Sequence, residues 1–291
     1  MICTPSASRE ADKDIQPSAM REMRGPDFPS CLYCMIVCVL KGMAPADEPG
    51  CPCCCNIRMK QFLPSILVWL LCPIYLLSQE RYTYREGDPN GIGKWYMGRQ
   101  IAHVMSHYGI EWLERPEREK EEGAEMLMKN LALHPGMVVA DIGAGSGYYS
   151  VKLAAKLDQG IVYAVDIEPE MIAYLQKRAK AEGFDNIRPI LSTEQDVKLP
   201  TSHIDLMLLV DVYHEFSFPY EMARSMLDAL NPGGKLYLVE YRAEDSRVPI
   251  KNIHKMSSKQ AVREFEAAGF RFEKNIKNLP WQHCLVFSKP G

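Results

Sequence analysis

Cysteine is almost missing from residues 73–291. Nine of the ten cysteines lie before residue 73, and Cys284 is the single one in the remaining sequence. A disulfide framework needs several cysteines close in the fold. The long C-terminal stretch is therefore not a small fold held together by disulfides.

A surplus of positive charge is missing as well. The formal net charge of the 291 residues is −3, which gives no global reason to expect a polyanionic partner. A nucleic-acid partner is therefore not favoured, although a local basic patch stays compatible with this composition. Apolar residues make up 47% and charged residues 24% of the sequence, as in ordinary globular proteins. The length suits one large domain or two small ones.

Residues 1–58 lack a sustained helical or strand period. They contain two cysteine clusters, one at Cys31, Cys34 and Cys38 and one at residues 51–55. Paired cysteines can bind zinc, but four cysteines within five residues do not form a clean ligand pair. We predict that residues 1–58 are a disordered or non-native leader, and a zinc site is the alternative.

Residues 59–79 have the order of a signal peptide or membrane anchor. Met59 and Lys60 precede an apolar run, residues 62–77, which Pro64 and Pro73 interrupt. This order of charged, apolar and polar residues is typical of secretory signal peptides, and the run is slightly short for a membrane span. We expect translation to begin at Met59 and residues 62–77 to allow membrane association. The alternative is a short buried or interfacial helix.

Residues 80–119 are predicted to be a linker followed by an N-terminal helical lid. Residues 83–94 are rich in Gly, Asn, Asp and Pro and indicate a loop, and a short helix is predicted around Arg99–His107. The alternative is a charged face in contact with solvent, together with a few aromatic side chains that only pack. The side chains that could line a substrate lid are Tyr96, Arg99, His103, Trp112 and Arg115.

Residues 120–291 alternate between strand and helix patterns. Such alternation favours an α/β fold with a doubly wound, mostly parallel seven-stranded sheet, Rossmann-like, with an antiparallel last strand and an N-terminal helical extension. Ligands of these sheets bind at the carboxyl ends of the strands. The predicted strands are residues 137–142, 161–166, 187–191, 204–210, 235–241, 270–273 and 283–288.

Residues 141–147 read DIGAGSG, with glycine at every second position. The dinucleotide fingerprint G-x-G-x-x-G is absent, because residue 148 is Tyr. An NAD-dependent oxidoreductase is therefore disfavoured. Glycines let the backbone approach a ligand closely, and a helix that begins at this point directs its N–H groups toward a negative group.

The pattern D-x-G-x-G-x-G resembles motif I of class I S-adenosylmethionine-dependent methyltransferases. Three further segments lie where that family has its motifs: Asp166 at the end of the second predicted strand, LSTEQD at 191–196 and DVYHEF at 211–216. The resemblance covers roughly residues 120–291. It is to a bacterial group of uncertain substrate, similar to the type 11/25 methyltransferase domains.

This resemblance implies S-adenosyl-L-methionine as the cofactor. Asp141 would hold the ammonium group directly or through water, Asp166 would accept hydrogen bonds from both ribose hydroxyls, and Ile167 would lie against the adenine. The loop after the third strand would hold the adenine edge. The residues implied for the cofactor are Asp141, Gly143, Ala144, Gly145, Gly147, Asp166, Ile167, Thr193, Glu194, Asp211 and Val212.

His214 and Glu215 are the predicted catalytic residues. The methyl donor is already activated, so the protein mainly aligns the reactants in a dry site, and a base is needed only if the nucleophile holds a proton. His214 follows the carboxyl end of a strand and titrates in a useful range. Glu215 would orient it or act in its place. A packing role for His214 is the alternative, and no metal ligand is predicted here.

The acceptor is predicted to be a small molecule or a protein. Methylation of base amino groups commonly uses Asp or Asn followed by Pro-Pro and an aromatic residue, whereas this sequence has DVYH. Carbon-5 pyrimidine methylation needs a cysteine nucleophile, and Cys284 lies on the last predicted strand. The alternative is a non-catalytic S-adenosylmethionine-binding module that acts through a partner. The apolar segment favours export or anchoring and the cofactor favours the cytoplasm, so the compartment stays open, as does the oligomeric state.

Overall fold

The computed structural model describes residues 80–291. The predicted leader, the predicted signal peptide or anchor and the cysteine clusters lie outside the described residues. Within residues 80–291, none of the helices combines the length and the apolar composition that a membrane span requires.

A seven-stranded sheet forms the centre of the fold and confirms the predicted fold class. Its strand order is β6-β5-β4-β7-β8-β10-β9. β4, β5, β6, β7 and β8 pair in parallel, while β10 runs antiparallel to β8 and to β9. The strands are β4 (Val138–Ile142), β5 (Ile161–Asp166), β6 (Ile187–Leu191), β7 (Ile204–Val210), β8 (Leu230–Tyr241), β9 (Arg271–Ile276) and β10 (Gln282–Ser288).

Capping residues set the ends of the longer helices. Pro169 begins one helix, and Gly183 ends it in the left-handed conformation, where glycine has no Cβ penalty. The hydroxyl of Ser257 accepts a hydrogen bond from the N–H of Gln260 at 3.1 Å and caps the last helix. The helices that follow strands are α4 (Tyr148–Ala154), α5 (Pro169–Glu182), α6 (Pro219–Ala229) and α7 (Ser258–Ala267).

β7 shows that helices cover both faces of the sheet, in agreement with its unbroken apolar sequence after Asp205. Leu206 and Leu208 belong to an apolar cluster that includes α4 and α5. Met207 and Leu209 belong to a second cluster that includes α6 and α7. Successive side chains of a strand point to opposite faces, so each strand residue contributes to one of the two cores.

β8 begins earlier than predicted. Asn231–Gly234 is part of the strand, and the pairing register with β7 shifts between Ile204 and Leu206. The shift accommodates the extra residues as a bulge. The remaining predicted strands of the sheet agree with the structure to within three residues.

The predictions for residues 83–107 are wrong. The expected loop contains a strand, and the expected helix around Arg99–His107 begins with one, because β1 (Tyr82–Tyr84), β2 (Gly91–Tyr96) and β3 (Arg99–Ala102) form an antiparallel sheet. The glycines are needed for packing: a Cβ at Gly87 or Gly91 would lie 2.3 Å from the side chain of Gln100. These two glycines therefore reflect close contact with Gln100. Gly87 also lies in the loop of residues 85–90, and Gly93 has a positive φ of 71°.

Three short helices join this small sheet to the larger one. They are α1 (Ile110–Leu113), α2 (Arg118–Glu122) and α3 (Ala124–Asn130). Gly123 separates α2 from α3, because it adopts the left-handed conformation with φ of 69°. The N-terminal extension thus contains both strands and helices.

Candidate active site

A cavity of about 480 Å³ lies at the carboxyl ends of β4, β5 and β7. Its volume falls in the usual range of ligand pockets, about 300–1,000 Å³, and its position agrees with the rule for such sheets. Ten of the residues predicted for the site line it, namely Gly143, Gly145, Asp166, Ile167, Thr193, Glu194, Asp211, Val212, His214 and Glu215. Asp141, Ala144 and Gly147 are buried and are not part of its wall.

The glycine loop has a backbone that side chains would not allow. Gly143, Gly145 and Gly147 all have positive φ angles, of 71°, 54° and 82°. A Cβ at position 143 would lie 2.3 Å from Cγ2 of Val212. The loop therefore forms an open concave surface only because these positions are glycine.

Backbone N–H groups fix the carboxylate of Asp166 on the cavity wall. The N–H of Gly145 donates to Oδ2 at 2.8 Å, and the N–H of Glu168 donates to Oδ1 at 2.9 Å. Burial raises the pKa of Asp166, and these amides act in the opposite direction. Each carboxylate oxygen keeps a free lone pair, so both can still accept a hydrogen bond from a ligand.

Asp141 supports the loop from the interior. Its Oδ2 accepts a hydrogen bond from the hydroxyl of Ser150 at 2.6 Å. Burial raises the pKa of Asp141 to about 6, although the hydrogen bond from Ser150 opposes this shift. A direct contact with a bound ligand, which the sequence implied, is not provided by its position behind the wall.

Asp211 leaves one buried acceptor atom free. It has a positive φ of 51°, and the side-chain amide of Gln282 donates to its Oδ2 at 2.6 Å. In the part of the chain that the structure describes, its Oδ1 has no hydrogen-bond partner. Burial, followed by the charges of Glu122 and Glu240, raises the pKa of Asp211 well above its ordinary value. A buried unpaired acceptor is costly, so this atom suits a ligand that donates a hydrogen bond.

His214 is held by a residue that sequence reasoning missed. Nδ1 of its ring lies 2.7 Å from a carboxylate oxygen of Glu240. Burial lowers the pKa of His214, but the charge and hydrogen bond of Glu240 outweigh burial and raise it above its ordinary value. Glu240 is a lone acid within the apolar strand LYLVEY, and a buried acid needs a partner, which is the signal that could have revealed it.

Glu215 and His254 lie on the other side of the His214 ring. Oε1 of Glu215 is 3.7 Å from Nε2 of His214, and Nδ1 of His254 is 3.1 Å from the same nitrogen. Burial, and then the positive charge of His214, lowers the pKa of His254 to about 4. His254 lies in a turn, Asn252–His254, that carries no recognisable motif, so the sequence did not indicate it.

The predicted lid residues separate into two groups. Trp112 and Arg115 line the cavity. Tyr96 is buried in the core and His103 is exposed. Arg99 binds both carboxylate oxygens of Glu264 at 2.9 Å and donates to the backbone carbonyl of His214 at 3.0 Å. Arg99 therefore supports the site from behind and does not form part of its wall.

Comparison with known proteins identifies the family. Residues 133–281 match the family model described as "Methyltransferase domain", and these 149 residues are more than half of the 291. The chain belongs to this methyltransferase family. The type 11/25 resemblance read from the sequence is confirmed, and the substrate is not indicated by the match.

This chain is similar to two curated relatives and to one crystal structure. The tRNA U34 carboxymethyltransferase of Desulfotalea psychrophila is 34% identical over 42% of this chain and 38% of its own length, so the chain spans well under half of that relative. The protein-L-isoaspartate O-methyltransferase of Pyrococcus horikoshii is 26% identical over 63% of this chain and 78% of its own length. A SAM-dependent methyltransferase from Aquifex aeolicus matches with a TM-score of 0.61 and 23% identity, over 64% of this chain and all of that one.

The cofactor of this methyltransferase is S-adenosyl-L-methionine, as the sequence resemblance implied. The observed wall fits such a molecule. The concave glycine loop admits close approach, Asp166 presents two acceptor oxygens suited to adjacent hydroxyls, and Oδ1 of Asp211 is a free acceptor that suits an ammonium group. Arg118, which the sequence did not indicate, also lines the cavity, where it pairs with Glu122 at 2.7 Å.

Proposed function

We propose that this methyltransferase transfers the methyl group of S-adenosylmethionine to a small-molecule or protein acceptor by in-line displacement. When bound, the cofactor supplies a methyl group activated by a positively charged sulfur. The observation that carries the proposal is a single cavity wall shared by the glycine loop and Asp166 on one side and by His214 and Glu215 on the other. A ligand held by the first group therefore lies within the same cavity as the second.

In this proposal, His214 and Glu215 are the catalytic residues and contact the acceptor. Glu240 fixes the His214 ring through Nδ1, so Nε2 remains available on the side of Glu215 and His254. A ring that is already fixed loses little freedom when the acceptor binds, which favours a productive alignment. The cofactor side of the proposal consists of the lining residues of the glycine loop, Asp166, Ile167, Thr193, Glu194, Asp211 and Val212, with Asp141, Ala144 and Gly147 as support.

The proposal assigns residues 120–291 to the methyltransferase domain and residues 80–119 to a linker and lid. The backbone N–H of Met105 donates to Oε2 of Glu215 at 3.0 Å, and Trp112 lines the cavity. These contacts support a lid that covers the acceptor side. The leader at 1–58 and the signal peptide or anchor at 59–79 complete the proposed division.

A small molecule or a protein is the proposed acceptor, in line with the relative that is named a protein-L-isoaspartate O-methyltransferase. Another relative is named a tRNA carboxymethyltransferase. The net charge of the chain therefore does not exclude a nucleic-acid acceptor, and RNA belongs among the outcomes of the test.

The test has two steps on the full chain. Isothermal titration with S-adenosylmethionine should show binding, and titration with NAD should not. Tritiated methyl-labelled cofactor should then label the small-molecule or protein fraction of a cell extract. Label in RNA would overturn the acceptor class, and cofactor binding without any label transfer would favour the non-catalytic module. Failure to bind the cofactor would reject the proposal as a whole.

A further inference from the structure

Three ligand atoms converge on the acceptor side of the cavity. Nε2 of His214 lies 3.1 Å from Nδ1 of His254, and Oε1 of Glu215 lies 3.7 Å from the first nitrogen and 3.9 Å from the second. Two atoms that bind one ion at about 2.0–2.2 Å are about 2.8–3.8 Å apart, depending on the bond angle. Two of the three separations fall in this range and the third, 3.9 Å, exceeds it slightly, so a small side-chain shift would suffice to bind an ion between the three atoms.

The hydrogen bond of His214 sets the ring for ligation. Nδ1 lies 2.7 Å from Glu240, which is 1% exposed, so Nδ1–H donates to this carboxylate. The neutral ring then has its lone pair on Nε2, directed toward His254 and Glu215. Histidine ligands of metals almost always donate their other ring N–H to a carboxylate, a carbonyl or water, and His214 has this arrangement already.

Glu215 also has one polar atom fixed by a hydrogen bond and another that is available to a metal ion. Its Oε2 accepts the N–H of Met105 at 3.0 Å, which leaves Oε1 for the two imidazoles. Glu215 and Glu240 place two carboxylates in one buried cluster, and buried negative charge is costly unless a positive charge compensates it. A divalent ion between the rings would supply that compensation.

We infer that His214, Glu215 and His254 hold a divalent transition-metal cation. Two imidazoles and one carboxylate are ligands typical of Zn²⁺ and Fe²⁺, whereas Mg²⁺ and Ca²⁺ prefer sites made of oxygen. Three protein ligands leave coordination positions open, and all three residues line the cavity. An oxygen or nitrogen atom of the acceptor can occupy an open position, and His214 and Glu215 then contact the acceptor through the ion, because Nε2 of His214 cannot accept a proton while it binds the ion. This last point rests on the proposed function, whereas the cation site itself does not.

The test uses Co²⁺ as a spectroscopic probe on the untagged full chain after treatment with a chelator. Co²⁺ should bind and give visible d–d absorption bands. His254→Gln removes one ligand at a half-exposed position and should weaken the affinity at least about 100-fold, since even outer partners change metal affinity about 10–100-fold. Glu240→Gln should weaken it about 10–100-fold. The matched control is His134→Ala, because His134 is exposed and lies outside the cluster; it should leave the affinity unchanged.

The nine cysteines before residue 73 are a second source of ligands in the full chain. Cysteine ligands give thiolate-to-cobalt charge-transfer bands, which a site of two His and one Glu does not. The difference spectrum between the original chain and His254→Gln isolates the site and should lack those bands. No cobalt binding, or binding that His254→Gln leaves unchanged, would overturn the inference and show that the two imidazoles form a hydrogen-bonded pair. Cofactor titration on the same samples tests the proposed function separately.

Discussion

The two sides of the cavity are built in different ways. The proposed cofactor wall consists of Gly143, Gly145 and Asp166, within 24 consecutive residues, and it presents backbone and a carboxylate held by backbone amides. The proposed acceptor wall consists of His214, Glu215 and His254, and the buried carboxylate of Glu240 holds the His214 ring from behind. These four residues come from three separate segments. A wall made of backbone can serve many enzymes that share a cofactor, whereas a wall made of side chains determines which acceptor is used.

The largest effect is expected from His214→Ala, which removes the centre of the acceptor wall. Methyl transfer should fall about 10²–10⁴-fold, the range associated with a positioned proton-transfer group. The cofactor dissociation constant should change less than about twofold, because His214 is not in the cofactor wall. Turnover with labelled cofactor and isothermal titration measure the two quantities. Unchanged turnover would reject the catalytic role of His214.

Gly143→Ala should weaken cofactor binding, in contrast to His214→Ala, which should slow methyl transfer and leave cofactor binding almost unchanged. The new Cβ would lie 2.3 Å from Cγ2 of Val212 at a φ of 71°, and the left-handed conformation alone costs about 1–2 kcal/mol for a residue with a side chain. We expect cofactor affinity to fall about 100-fold or more. Gly136→Ala is the matched control, because its Cβ would meet nothing within 4 Å. Equal affinities of the two variants would show that the loop does not need glycine.

Asp166→Asn should weaken the cofactor wall without changing its shape. A hydrogen bond to a charged group contributes about 1.5–3 kcal/mol, so the cofactor affinity should fall about 10–100-fold. Asp185→Asn, at an exposed position, serves as the control in the same titration. If a nucleoside without ribose hydroxyls loses as much affinity through Asp166→Asn as the cofactor does, the assigned contact is wrong.

The smallest effect is expected from Asp141→Asn, and it concerns stability. The pKa of Asp141 is raised to about 6 in the fold, so its stabilising contribution is full below about pH 4 and is lost as the pH rises through 6. Above that pH the buried charge costs up to about 3 kcal/mol, at 1.36 kcal/mol per pKa unit.

The Asn variant without cofactor should therefore gain stability relative to the original chain between pH 4 and pH 8. Urea unfolding at both pH values measures this difference. A difference that does not depend on pH would show that the Asp141 carboxyl has an ordinary pKa in the fold.

The residues of the proposed cofactor wall could be predicted from the sequence, because they lie close together along the chain and the glycine spacing of the loop is a recognisable motif. The acceptor wall could be predicted only in part. His214 and Glu215 directly follow a strand, whereas Glu240 reaches His214 through the pairing of β8 beside β7, and His254 reaches it through a turn 40 residues away. Such contacts depend on the assembled sheet and leave no local pattern.

The small sheet of β1, β2 and β3 shows a second reason why the structure could not be predicted from the sequence. Its glycines resembled those of a loop, whereas Gly87 and Gly91 are in close contact with the side chain of Gln100. Glycine has the same sequence signature whether it permits a turn or a close contact. Only the position of the packing partner separates the two causes, and Gln100 is distant enough in sequence to escape a local reading.

The pairing of Arg99 with Glu264 has a consequence for where the protein can be divided. A chain cut at residue 120 would retain all of the residues that match the family, 133–281. It would also leave the carboxylate of Glu264, which is 0% exposed, without its guanidinium, and breaking a buried ion pair costs about 3–5 kcal/mol. The segment that matches the family model is thus shorter than the segment that pairs the buried carboxylate of Glu264, and Arg99, which lies outside the match, supports the backbone of His214.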